Sequence, residues 1–194
     1  MDGSIWIVAV IAFLALVFLI VKAVDASHSK HAASVDLSSL PQLFIVFDLE
    51  TTGLDPTRHE IVEIGAILVN RDSDVHETFQ SLVKPLNRIP EKITQMTGIS
   101  QNMVDHEGEP LGTVLRDFAA FIEAFPLVSF NAEFDMAFLR KAAKQHDVVI
   151  RNRVSCALEM ARRAWPGRES YRLCDLAKDG NLSDEDTHRA PWGL

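Results

Sequence analysis

Residues 43–53, Leu-Phe-Ile-Val-Phe-Asp-Leu-Glu-Thr-Thr-Gly, pass from five bulky apolar side chains into a segment of two acids, two hydroxyls and a glycine. An apolar run this short, rich in aromatic and β-branched residues, predicts a strand covered on both faces rather than a core helix. Side chains alternate along a strand, so Asp48 and Glu50 point to the same side. Two carboxylates held that close repel each other, and as hard oxygen ligands they suit Mg²⁺ or Mn²⁺. Gly53 then lets the backbone turn sharply or approach a ligand closely. The first strand is therefore expected to deliver chemistry at its tip.

The chain of 194 residues, 47% of them hydrophobic, is long enough for one sizeable core. Its formal net charge of −8 argues against gripping nucleic acid through a broad basic surface, though not against meeting phosphates through metal ions. Cys156 and Cys174 are the two cysteines, both in segments that read as helical. Without a Cys-x-x-Cys spacing they predict reduced thiols, neither a zinc site nor a disulfide framework.

Ile5 to Val21 is an uninterrupted apolar run, with Asp2 before it and Lys22 and Lys30 after it. With its flanks it is long enough to span a bilayer, and no polar face marks it as a surface helix. The absence of Lys or Arg ahead of the run disfavours a signal peptide cleaved before Ser27, which would place the domain outside or in the periplasm. The flanking charges favour a retained single-pass anchor, residues 1–24, with the following domain in the cytoplasm. Residues 25–42 read as a flexible linker of roughly 20–25 Å reach. Residues 43–194 read as the globular domain.

Within it, Ile61–Val69 reads as a second strand and His76–Val83 as a third, with short links that suit antiparallel neighbours. Glu91–Met96 reads as a short helix stopped at Thr97-Gly98. Leu111, Val114, Leu115, Phe118, Phe121, Ile122 and Phe125 recur at helical spacing, predicting a helix from Pro110 to Ala124. Leu127–Phe130 is a short strand feeding a helix from Asn131 to His146, whose first turn carries Asp135. Val148–Ile150 reads as a last strand, followed by helices at Cys156–Ala164 and Leu173–Lys178. This order implies a mixed α/β sheet whose ligand crevice lies at the carboxyl ends of the strands. Asp48, Glu50 and Asp135 are expected around that crevice.

Phe47-Asp48-Leu49-Glu50-Thr51-Thr52-Gly53, Phe130-Asn131-Ala132-Glu133-Phe134-Asp135 with Phe138-Leu139, and His188-Arg189-Ala190 occur in that order. Together they resemble the three motifs of the DEDDh class of 3′→5′ exonucleases, which includes the proofreading epsilon subunit of bacterial DNA polymerase III. Ile89-Pro90 followed by Thr97-Gly98-Ile99 resembles a segment between the first and second motifs. The resemblance implies a ribonuclease H-like fold, a five-stranded mixed sheet flanked by helices. It further implies that Asp48, Glu50 and Asp135 hold two divalent cations, Mg²⁺ or Mn²⁺, and that His188 is the general base. Thr51, Thr52, Gly53 and Asn131 would contact the terminal nucleotide of single-stranded or 3′-end DNA or RNA. The product would be a nucleoside 5′-monophosphate. A polymerase partner is not legible in the sequence.

One feature departs from the pattern. The class carries a fourth carboxylate five residues after its histidine, on a final helix; the matching position here is Gly193. The final helix is therefore expected to be missing, and Asp184, Glu185 and Asp186 are nearby acids with nothing to fix them as substitutes. The alternative expectation is accordingly a catalytically impaired, truncated member that binds nucleic acid or a partner without cleaving.

Overall fold

A computed structural model describes residues 41–73 and 76–179. The anchor, most of the linker, His188 and Gly193 lie outside the described residues. Among the described residues no helix is long and apolar enough to cross a membrane.

Five strands make one sheet: β1 (Leu43–Thr51), β2 (Ile61–Asn70), β3 (Glu77–Leu82), β4 (Leu127–Ser129) and β5 (Val154–Cys156). Their spatial order is β3-β2-β1-β4-β5. β1 pairs antiparallel with β2 and β2 with β3, whereas β4 lies parallel to both β1 and β5. Short links suffice on the antiparallel side; on the parallel side the chain must cross over, and helices make that crossing. The helices are α1 (Glu91–Thr97), α2 (Gln101–Glu107), α3 (Leu111–Ile122), α4 (Ala132–Gln145), α5 (Ala157–Ala164) and α6 (Leu173–Asp179).

The apolar run of β1 supplies both faces of the sheet. Ile45, Phe47 and Leu49 pack with Val114, Leu115, Phe118 and Ile122 of α3 and with Phe138 and Leu139 of α4. Phe44 and Val46 face the other way, onto Ala157 and Ala161 of α5 and Leu176 of α6. Phe118 is the hub of the first layer, with its ring 6.0 Å from that of Phe47 and 5.6 Å from that of Phe79.

The expected element boundaries hold within a few residues, with three differences. Val148–Ile150 is not a strand. Val148 and Ile150 pack onto the first core layer while Val149 is exposed, so their apolar character serves packing without sheet pairing. The sheet resumes where Leu127 N–H donates to the Arg153 carbonyl (2.8 Å). Just before that point, Asn152 Nδ2 donates to the Phe125 carbonyl at 2.8 Å and to the Glu123 carbonyl at 3.1 Å. These bonds satisfy the carbonyl of the residue that caps α3 and one in the turn that follows it. Cys156, expected on a helix, is instead the last residue of β5. Helix α2 was not expected; its Ser100 N-cap accepts from Met103 N–H (3.3 Å), and its buried Val104 completes a small cluster with Val62, Ile89 and Ile99. The stop of α1 is as expected: Gly98 sits in the left-handed region at φ 76° and its N–H closes on the Thr94 carbonyl.

Candidate active site

Alternation along β1 turns apolar chemistry into acidic chemistry on one face. Phe44 and Val46 fill the second core layer, and the next two positions on that face are Asp48 and Glu50. The register with β2 shifts between Glu50 and Thr51, re-aiming the chain just beyond the acids. Asp135 arrives from another element. β4 ends at the buried Ser129, and the chain turns through Asn131 into α4, whose first turn carries Asp135, only 3% exposed. Ser129 Oγ donates to Asp135 Oδ2, and the helix N-terminus favours a carboxylate at this position.

These acids act on one another. Burial raises Glu50, and the charges of Asp48, Glu63 and Asp135 raise it further. Asp135 is likewise well above the usual carboxylate range, through burial and then Asp48, with the Ser129 hydrogen bond opposing. Burial pushes Asp48 up to about 6, the Leu49 backbone N–H opposing. The expected trio is thus brought together at the carboxyl ends of β1 and β4.

A fourth acid belongs to the same cluster and was missed by the sequence reading. Glu63 on β2 lies directly opposite Glu50, is 1% exposed, and is pushed up to about 7 by burial, with Asp48 adding to the rise. Gln80 Nε2 donates to Glu63 Oε1 at 2.8 Å. The signal was available: a lone acid in the otherwise apolar segment Ile61–Val69.

Thr51, Thr52 and Gly53 form the start of a tightly closed loop. Thr51 Oγ1 donates to the Gly53 carbonyl (2.8 Å), and Thr52 Oγ1 accepts from Glu60 N–H (3.0 Å). Thr52 N–H in turn donates to the Glu60 carbonyl (2.8 Å). Both hydroxyls are therefore engaged inside the protein. Gly53 is required by contact, since a Cβ there would meet the His59 ring at 2.5 Å. That ring is fixed by Asp55 N–H donating to Nδ1 (3.0 Å). Lys141 Nζ of α4 donates to the Pro56 carbonyl, tying the loop to the helix that carries Asp135. Asn131 is exposed just ahead of α4, and its side chain caps no helix N–H.

A group of hard carboxylates raising one another's affinity for protons has the donor chemistry of a divalent-cation site. As the side chains stand, no three acid, histidine or cysteine groups among the described residues enclose a single metal position. One oxygen of Asp135, Oδ2, is oriented by the bond from Ser129.

A mixed sheet in this order, with acids at the end of its central strand, defines a ribonuclease H-like fold. The family model for Exonuclease, RNase_T, matches residues 45–191. The epsilon subunit of DNA polymerase III from Aquifex aeolicus is 34% identical over 149 residues, covering 76% of this chain and 72% of that protein. A PolC-type DNA polymerase III from Clostridium perfringens is 36% identical over 148 residues, covering 76% of this chain. The match takes in only 10% of that polymerase, so the chain corresponds to about a tenth of its length. E. coli exonuclease I, solved with a dT13 oligonucleotide, superposes with a TM-score of 0.66 at 18% identity, over 77% of this chain and 38% of the other. The chain belongs to the exonuclease family.

Proposed function

We propose that this chain is a 3′→5′ exonuclease that removes nucleotides from single-stranded or frayed 3′ ends. The observation that carries the reading is the meeting of Asp48 and Glu50, from the end of β1, with Asp135, from the first turn of α4. Asp48, Glu50 and Asp135 would hold the divalent cations, Mg²⁺ or Mn²⁺. Bound there, such ions supply Lewis acidity and charge neutralisation at a phosphodiester. His188 takes the proton of the attacking water, a role most often filled by an imidazole. Water attacks the terminal phosphorus, the bond to the preceding 3′-oxygen breaks, and a nucleoside 5′-monophosphate leaves. The loop that begins at Thr51, Thr52 and Gly53 follows directly on the acids, and with Asn131 it would position the terminal nucleotide without reading its base.

The N-terminal apolar run keeps this domain at a membrane surface, on the cytoplasmic side. Alkaline carbonate extraction of cells expressing the chain tests that placement: an integral protein stays with the membrane pellet, and full release of the uncleaved chain refutes the anchor.

The nuclease test is degradation of a 5′-labelled strand with a mismatched 3′ end, as DNA and as RNA, by the full chain and by Asp48→Ala. Laddering from the 3′ end that needs Mg²⁺ or Mn²⁺ and disappears in the variant is the expected result. Absence of cleavage by a folded sample overturns the catalytic reading. If that sample still binds the strand, Gly193 at the position of the class's fourth carboxylate marks it as a binding module.

A further inference from the structure

Glu63 is a costly residue to keep where it stands. Its neighbours along β2, Val62 and Ile64, are fully buried apolar side chains, and Glu63 is itself 1% exposed. Only one of its oxygens is satisfied, by the 2.8 Å bond from Gln80. The other, Oε2, is buried and has no hydrogen-bond partner among the described residues. An orphaned buried carboxylate oxygen is rare because its desolvation is not returned, and an ion or water is the ordinary remedy. A purely structural role would be met more cheaply by an apolar residue, or by a glutamine that keeps the Gln80 contact.

Position says what the orphan is for. In an antiparallel pair, residues directly opposite each other project from the same face about 4.5–5.5 Å apart, and Glu63 is directly opposite Glu50. Gln80 pairs with Gly65, and Gly65 pairs with Asp48, so the amide reaches Glu63 diagonally past a position without a side chain. That anchor ties down Oε1 and leaves Oε2 on the face that carries Asp48 and Glu50.

We propose that Glu63 is a further carboxylate of the cation site, contributed by β2, with Oε1 fixed by Gln80 and Oε2 available to the bound cation directly or through a water molecule. This rests on the exonuclease reading above and adds a residue to it. Glu63 acts on the cation, and its effect on nucleotide removal follows from cation retention.

The experiment is calorimetric titration of the full chain with Mn²⁺, in the absence of nucleic acid, comparing the unsubstituted chain with Glu63→Gln, Glu63→Asp and a control, Glu107→Gln, on the exposed end of α2. Removal of a supporting ligand of this kind typically weakens metal binding roughly 10- to 100-fold, and that loss is expected for Glu63→Gln. Glu63→Asp, with the charge drawn back, falls between, and Glu107→Gln binds as the unsubstituted chain does. Circular dichroism and melting in chelator establish that the variants are folded. Should Glu63→Gln unfold, Glu63→Asp decides, and an affinity within about twofold of the unsubstituted chain overturns the assignment. Tight Mn²⁺ binding that Glu63→Gln leaves unchanged also overturns it, while the exonuclease reading stands. Failure of the unsubstituted chain to bind Mn²⁺ overturns both.

Discussion

Without cations, this protein is expected to lose stability as pH rises from about 4.5 to 7.5, opposite to the usual consequence of ion-paired surface carboxylates. The sign comes from burial. Glu63 sits at about 7 in the folded chain against 4.5 ordinarily, so the folded state holds its proton where the unfolded state has released it. Between those values folding takes up a proton; stability is fully present below pH 4.5, falls as pH rises through the folded value of about 7, and levels off only beyond it. At 1.36 kcal/mol per pKa unit, Glu63 alone contributes a loss of roughly 3 kcal/mol. Asp48, Glu50 and Asp135 are also raised and act in the same direction, but they share one electrostatic environment and do not add independently. Against a total of about 5–15 kcal/mol, a loss of roughly 3 kcal/mol is large. Urea denaturation of the full chain in chelator, repeated at half-unit pH intervals and followed by circular dichroism, measures it directly. Glu63→Gln should flatten the curve and be the more stable protein at pH 8, even though it binds Mn²⁺ less well. A stability that is flat or rising between pH 4.5 and 7.5 in chelator would refute the picture of buried, uncompensated acids.

Three other perturbations test the site and the core around it. Ser129→Ala removes a buried hydroxyl that donates to Asp135; hydrogen bonds to charged groups are worth about 1.5–3 kcal/mol, and the expected result is weaker Mn²⁺ binding by calorimetry with an unchanged circular dichroism spectrum. Gly53→Ala drives a methyl group into the His59 ring and should lower kcat/KM on a labelled 3′ end. His59→Ala in the same chain should restore part of that loss, and a double-mutant cycle without a coupling of at least about 0.5 kcal/mol would show that the contact does not matter. Phe118→Ala, in the core layer on the sheet face opposite the acids, should cost about 3–5 kcal/mol in urea denaturation by emptying the hub between Phe47 and Phe79. Its Mn²⁺ affinity at temperatures where it remains folded should match that of the unsubstituted chain.

The strands and helices with strong periodicity were legible because packing and pattern agree. The apolar run of β1 is buried on both faces, and the three- and four-residue spacing of α3 marks its buried stripe. Val148–Ile150 misled because hydrophobicity reports burial, and an irregular segment packed on the core carries the same signal as a paired strand. Helix α2 was overlooked because it buries only Val104, so its hydrophobic stripe is weak, and its one clear marker is the Ser100 cap. At the site, Asp48, Glu50 and Asp135 were readable from strand alternation and from the turn into α4. Glu63 was not recognised because its meaning depends on register: only the pairing of Glu50 with Glu63 shows that an acid in a distant segment faces the same space. The Ser129 contact was hidden for a related reason, since it joins a strand end to the first turn of the following helix.

The sheet order also fixes when the site can exist during folding. Val46 meets Ile67 through a short connection, but its partner on the other side, Val128, is about four times further along the chain. Closing the longer loop costs roughly 1 kcal/mol more in chain entropy, and pairings of that kind slow folding. The antiparallel strands can therefore gather Asp48, Glu50 and Glu63 from local segments, while Asp135 depends on the distant pairing of β4. A chain that stalls before that pairing holds an acidic row without Asp135, so on the proposed reading activity is expected to appear only after the distant pairing has formed.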